Sequence, residues 1–221
     1  MKYFMPALRF KLFMTLLLGL LYPFAITGIS QVLFPKQSAG EFLSRGGQVL
    51  GSHWISQKFE KPEYFWPRPS AVDYNPLPSG GSNLSPASAD LKKAFDERKT
   101  KLKSAHPGQS MEPPQDLLFA SGSGLDPHIS PEAADYQIQR VASARKMNLD
   151  QVRTLVEKAT EQRQWKILGE PNVNVLALNL SLDQAQGIET APVFVAPPVN
   201  TGSETTNQVN PTGASPAPES K

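Results

Sequence analysis

The sequence predicts an α+β chain with a single N-terminal transmembrane helix, one small extracytoplasmic domain and a disordered C-terminal tail. Three observations predict it. Residues 12–35, LFMTLLLGLLYPFAITGISQVLFP, run for 24 residues without a charge. Between residues 85 and 159 three stretches carry apolar residues at helical spacing, and short apolar runs around them suit strands. The last 32 residues hold six prolines and one aromatic, Phe194, too little apolar surface to offset the entropy of ordering. The expected divisions are a cytoplasmic N-terminus at 1–11, the membrane helix at 12–35, the soluble domain at 36–189 and the tail at 190–221.

As a helix at about 1.5 Å per residue, the uncharged run is roughly 36 Å long, enough for a hydrocarbon core of about 30 Å. Lys11 and Lys36 close it. Lys2, Arg9 and Lys11 precede it with no acid, which places the N-terminus inside and the soluble domain outside the cytoplasmic (inner) membrane, in a single pass. A cleaved signal peptide is the competing reading. It needs a shorter apolar core, and the nearest small-x-small site, Ser38-Ala39-Gly40, lies beyond Lys36. Pro23 is tolerated in a span where neighbours satisfy the freed carbonyl. Gly19, Thr27, Gly28 and Ser30 permit close helix contact, and equally suit a lone anchor.

Three of the 22 basic residues precede the span, which leaves 19 against 20 acids beyond it, a net charge of −1. The soluble part therefore offers no nucleic acid an electrostatic footprint. Absence of cysteine excludes disulfides, thiolate metal sites and Cys-ligated clusters. Residues 36–185 are enough for one hydrophobic core, and 21 prolines predict many loops.

Along the domain, residues 48–55 form a strand candidate. The cluster Tyr64-Phe65-Trp66-Pro67-Arg68-Pro69 is extended backbone, since residues before proline leave the helical region. A long loop follows through residues 74–83. Ser85 or Ser88 caps a helix to about Ala105, with Leu91, Ala94, Phe95 and Leu102 on one face and the charges facing solvent. Leu117 to Ala120 is a short strand candidate. Ser130 caps the next helix, with Pro131 at its first position and Glu132 on its dipole. A third begins near Asn148 or Leu149, with Val152, Leu155, Val156 and Ala159 in register, so the two form a helical hairpin. Residues 173–182 match both periods. Leu176, Leu178, Leu180 and Leu182 alternate, against Val175, Leu178 and Leu182 for a helix, so the count favours a strand.

Enzyme motifs are missing: no G-x-S-x-G elbow, no H-E-x-x-H, no G-x-x-x-x-G-K-[ST]. No catalytic residue and no metal ligand is assigned. His53, His106 and His128 lie far apart without paired-ligand spacing. Asp126-Pro127-His128 offers a carboxylate and an imidazole to a metal, or is simply a polar turn into the helix at Pro131. One segment looks built for an anion: Ser79, Gly80, Gly81, Ser82 and Asn83 are candidate nucleotide contacts, glycines admitting an anion to the backbone N–H groups and serines adding hydroxyls. The stretch from Leu77 loosely echoes the L-S-G-G-Q signature of ABC ATPases. The rival reading is a tight turn ahead of the helix, and ATP is scarce outside the cytoplasm.

The ordered set of segments resembles one family. They are the N-terminal span with Tyr22-Pro23, Gly51-Ser52 through Phe59, Tyr64 through Ala71, Tyr74-Asn75-Pro76 with Ser79 through Leu84, Ala120 through Pro131, Gln137 to Arg145, and Val173 to Asp183. Together, over about residues 5–185, they look like the C subunit of the Kdp-type potassium-transporting ATPase. The tail departs from the family. The resemblance implies a non-catalytic accessory subunit of an ATP-driven high-affinity potassium uptake complex. Its partners are then a channel-like potassium-binding subunit, a P-type ATPase subunit, a small membrane subunit and the lipid bilayer. It also implies stabilised assembly and a catalytic chaperone that raises the pump's ATP affinity, with residues 79–83 as the nucleotide contact. No cofactor is then bound tightly, and ATP is reached through the complex. A purely structural clamp or gate on the channel-like subunit is one alternative, and a membrane-anchored extracytoplasmic hydrolase is another.

Overall fold

The computed structural model describes residues 2–45 and 47–188, so the expected tail at 190–221 lies outside the described residues. Helices α1 (Phe4–Leu16) and α2 (Tyr22–Leu33) are joined by a π-helical turn, Leu17–Leu21, into one continuous helix. That helix, Phe4–Leu33, is long and apolar enough to cross a membrane. Pro23 explains the π turn. It has no N–H to give and its ring crowds the preceding turn, so the ladder widens just before it. The Tyr22 N–H reaches Leu17 O instead. Thr27 Oγ1 donates to Pro23 O at 2.8 Å, satisfying a polar group that lipid cannot.

A short helical turn, α3 (Pro35–Ser38), leads into a hairpin of β1 (Phe42–Arg45) and β2 (Gln48–Ser52). The pairing is antiparallel with a bulge, because Leu43 faces Gly51 while Ser44 faces Val49. The extra residue, Leu50, is buried. The strand expected over 48–55 thus ends at Ser52, where His53 and Trp54 turn away.

The remaining elements build the core. They are α4 (Ala89–Ala105), α5 (Gln115–Leu118), β3 (His128–Ile129), α6 (Pro131–Arg145), α7 (Leu149–Ala159), β4 (Thr160–Glu161), β5 (Asn172–Asn174) and α8 (Val175–Ala185). Strands β3 and β4 flank β5, both antiparallel to it. Local signals set the helix starts. Ser88 Oγ accepts from the N–H groups of Asp90 and Leu91, Ser130 Oγ from Ala133, and Asn148 forms a capping box with Gln151. Phe65, Val141, Val152, Val173, Leu178 and Leu182 are at the centre of the core.

Two expectations are corrected. Residues 175–185 form a helix, not a strand. Its buried residues are Val175, Leu176, Leu178, Asn179, Leu182 and Asp183, and with the two polar residues counted, 175, 178, 179, 182 and 183 fall at helical spacing with Leu176 beside them. An apolar-only count discards Asn179 and Asp183. The strand expected over Leu117 to Ala120 is also absent, since Gln115–Leu118 form a helical turn that ends at Phe119. The Asp116 carboxylate accepts the Ser130 N–H at 2.7 Å and pins that turn to the start of α6.

Asn179 and Asp183 are buried because they are paired. Residues 53–88 contain no helix or strand, yet Phe65 is fully buried. Its N–H donates to Asn179 Oδ1 at 2.8 Å, and its carbonyl accepts from Asn179 Nδ2 at 3.0 Å. Gln137 of α6 does the same for Trp66, at 2.8 and 3.1 Å. Arg140 donates to the carbonyls of Pro62 and Tyr64 and to Gln137 Oε1. Arg145 donates to Glu63 O and forms a buried ion pair with Asp183 at 2.7 Å. Tyr64 OH also donates to Asp183, and Arg145 lies over the Tyr64 ring. Burial draws the Arg140 guanidinium down to about 10, which leaves it charged at neutral pH. Its Nε donates to His106 Nε2, while His106 Nδ1 donates to Leu102 O. The ring is therefore the neutral Nδ1–H tautomer. Burial first, and then the Arg140 charge, hold its pKa below the ordinary value against the Leu102 bond.

The predicted consequence is sharp at Asn179. Asn179→Leu keeps the branched shape of the side chain and does not lower helix propensity, but strands both Phe65 backbone groups in the core. Chemical denaturation of the full-length chain should show a loss of about 3 kcal/mol, against under 1 kcal/mol if the loop were held by apolar packing alone.

Candidate functional site

The five residues singled out in the sequence lie on one loop. Ser79, Ser82 and Asn83 are exposed, while Gly80 and Gly81 are half-buried. Beneath them runs a second loop, residues 121–124. The Gly80 N–H donates to Ser123 O at 2.9 Å. A Cβ on Gly81 would lie 2.9 Å from Gly122 O, whereas one on Gly80 meets nothing within 4 Å. Gly124 adopts φ +72, and a Cβ there would stand 2.6 Å from Val72 Cγ2 and 2.8 Å from Gly80 O. The two glycine-serine segments are thus packed backbone to backbone. At least one of the N–H groups that an anion would need is already spent.

Beside this joint lies a cleft of about 200 Å³ lined by Trp66, Tyr74, Arg98, Lys101 and their neighbours. Arg98 Nη1 donates to Leu118 O at 2.8 Å, and Tyr74 OH to Arg68 O at 2.9 Å. Burial pushes the Tyr74 hydroxyl above its usual range, so it stays protonated. Trp66 has Arg140 at 4.2 Å and Lys101 at 5.5 Å from its ring. A cleft with aromatic walls and cations suits an anionic or aromatic surface. The sequence showed the Trp66 cluster but not that Arg98 and Lys101 of α4 fold over it.

The histidines divide. His106 is locked to Arg140 in the core. His53 and His128, 75 positions apart in the sequence, meet with ring centroids 6.1 Å apart. Glu161 joins them, its Oε1 3.0 Å from His53 Nε2. Asp126, expected as a companion of His128, lies behind it. Its Oδ1 accepts the His128 N–H at 3.0 Å and is 3.7 Å from His128 Nδ1, and its Oδ2 accepts from Arg68 at 3.0 Å. Burial works against its ionisation, but the bonds from His128 and Arg68 outweigh it and hold the carboxyl below the usual range. Sequence spacing had no means of joining His53 to Glu161 across so many residues.

Comparison with known proteins gives the family. The family model described as K+-transporting ATPase, c chain, KdpC, matches residues 4–184. A potassium-transporting ATPase KdpC subunit of Geobacter metallireducens is 51% identical over 183 residues, covering 81% of this chain and 96% of the relative. That of Methylococcus capsulatus is 49% identical over 185 residues, covering 82% and 97%. That of Herpetosiphon aurantiacus is 47% identical over 190 residues, covering 85% and 98%. The match takes in the membrane-length helix, the amide-clamped loop and the packed glycine-serine joint, and this chain belongs to the KdpC family of potassium-transporting ATPase subunits.

Proposed function

We propose that this subunit is non-catalytic and works from outside the cytoplasmic membrane. Its N-terminus is inside, and its helix packs among the membrane parts of the pump. Its domain clamps the channel-like potassium-binding subunit and so stabilises the assembly with the ATPase subunit and the small membrane subunit. The rise in the pump's ATP affinity follows without contact with nucleotide, as tighter binding of this subunit to one state of the pump.

The observation that carries the clamp is an apolar tip between β4 and β5. Trp165, Ile167 and Leu168 are 83, 77 and 51% exposed. Exposed apolar residues clustered like this mark interaction surfaces. Gln164 and Leu168 exchange both backbone hydrogen bonds at 2.9 Å, and Arg163 pairs with Glu170 below, so the tip is held ready. The double variant Trp165→Ser/Ile167→Ser should fold as the parent does, since neither residue is in the core. Its recovery in the purified complex should fall by about tenfold or more. Undiminished recovery would contradict the clamp.

The nucleotide-contact reading rests on the exposed hydroxyls of Ser79 and Ser82, and the two glycines separate it from the packing reading. If the loop is a joint, Gly81→Ala lowers the domain's unfolding temperature, at a cost of about 1–3 kcal/mol, while Gly80→Ala leaves stability and the pump's KM for ATP unchanged. If the loop cradles phosphate, Gly80→Ala raises the KM for ATP with stability intact.

A further inference from the structure

Sheet geometry gathers the side chains around His128. Residues opposite one another in an antiparallel pair share a face, as do alternate residues along a strand. His128 is opposite Asn174, and Glu161 opposite Asn172. His128, Asn174, Asn172 and Glu161 therefore share one face of the β3-β5-β4 sheet. His53 is drawn to the same place from the turn after β2, because Asn174 Nδ2 donates to its carbonyl at 2.7 Å. One ligand-capable atom from each of His53, His128 and Glu161 lies within 4.8 Å of the other two.

The polar atoms of this face are incompletely satisfied. His53 Nε2 and Glu161 Oε1 pair with each other. His128 Nε2 is buried without a hydrogen-bond partner, and so is Asn172 Oδ1. A buried ring nitrogen is rarely left so, and a plain His–Glu hydrogen bond does nothing for it. On its other side the His128 ring faces Asp126, itself held by Arg68. A carboxylate behind an imidazole, setting the tautomer that frees the opposite nitrogen, is the outer arrangement of histidine metal sites.

We propose that His53, His128 and Glu161 bind a divalent transition-metal ion of the zinc class, with Asp126 orienting His128. Two imidazoles and one carboxylate suit Zn²⁺ and its first-row neighbours, whereas Mg²⁺ and Ca²⁺ want an oxygen shell. Ligands at about 2.0–2.1 Å around a tetrahedral ion are roughly 3.4 Å apart, so the His53–Glu161 pair, now 3.0 Å, opens slightly while the wider separations within the 4.8 Å trio close. Glu161 is free to move, its side chain 44% exposed, and the same opening leaves a fourth position to water. The bound ion ties the membrane-proximal hairpin, through His53, to both outer strands of the core sheet. This site is independent of the clamp and of the glycine-serine loop.

The test is a Zn²⁺ titration of the untagged full-length chain in detergent, by calorimetry and by imidazole ¹⁵N NMR. The chain has three histidines, so each ring is a separate reporter. One ion per chain should bind, shifting the His53 and His128 ring signals and leaving His106 unmoved. Glu161→Gln, at an exposed position that does not threaten folding, should weaken binding at least about tenfold, and His53→Ala/His128→Ala should abolish it. Excess Mg²⁺ should not displace the ion. No stoichiometric binding, a shifted His106 ring, parental affinity in Glu161→Gln, or displacement by Mg²⁺ would each overturn the assignment.

Discussion

Phe65 and Trp66 sit in a core with no strand beside them. Their four backbone hydrogen-bonding groups are answered by two side-chain amides, Asn179 from α8 and Gln137 from α6. A carboxamide presents one acceptor and two donors in a plane, which is the same offer a neighbouring peptide makes. Each amide therefore stands in for one residue of a missing strand. Arg140 and Arg145 extend the arrangement by taking the carbonyls of Pro62, Glu63 and Tyr64. Without these partners the proline-rich loop has no way to bury its backbone, and the Phe65 ring could not fill the space between the helices.

The rest of the domain depends on that anchoring. Residues 67–88 leave Trp66 from a fixed point, so Tyr74, the glycine-serine loop and the start of α4 are positioned from the core outward. The packed pair of loops at 79–83 and 121–124 joins this excursion to the turn that carries Asp126 and His128. On the other side, Gln57 Nε2 donates to Leu50 O and ties the same excursion to the hairpin next to the membrane helix. The route from the long N-terminal helix to the core of the domain is thus continuous through the hairpin.

What the sequence made legible follows the range of each interaction. The starts of α4, α6 and α7 were readable because Ser88, Ser130 with Pro131, and Asn148 act within three residues of themselves. The membrane helix was readable because lipid imposes one composition on every position. Helix α8 was misread because Asn179 and Asp183 look like surface residues until Phe65, 114 positions away, and Arg145 are placed beside them. The four residues of α5 are too few for any period to show. Among the candidate site residues, the sequence could not tell that Gly81 is pinned against Gly122 while Gly80 is sterically open. Nor could it bring His53 to Glu161, since only the folded sheet sets that distance. The family was legible from the ordered segments, because they are the loop, joint and helix positions that this packing requires.

Amide hydrogen exchange in the full-length chain tests the amide clamp most directly. A loop of 36 residues without helix or strand would ordinarily exchange through small local openings. If Asn179 and Gln137 hold it as described, the Phe65 and Trp66 amides should exchange only with the core, at rates matching Val141 in α6 and Leu178 in α8. Exchange of Phe65 and Trp66 at rates near that of exposed Ser82, with α6 and α8 still protected, would show that the loop opens independently and that the clamp does not organise the fold.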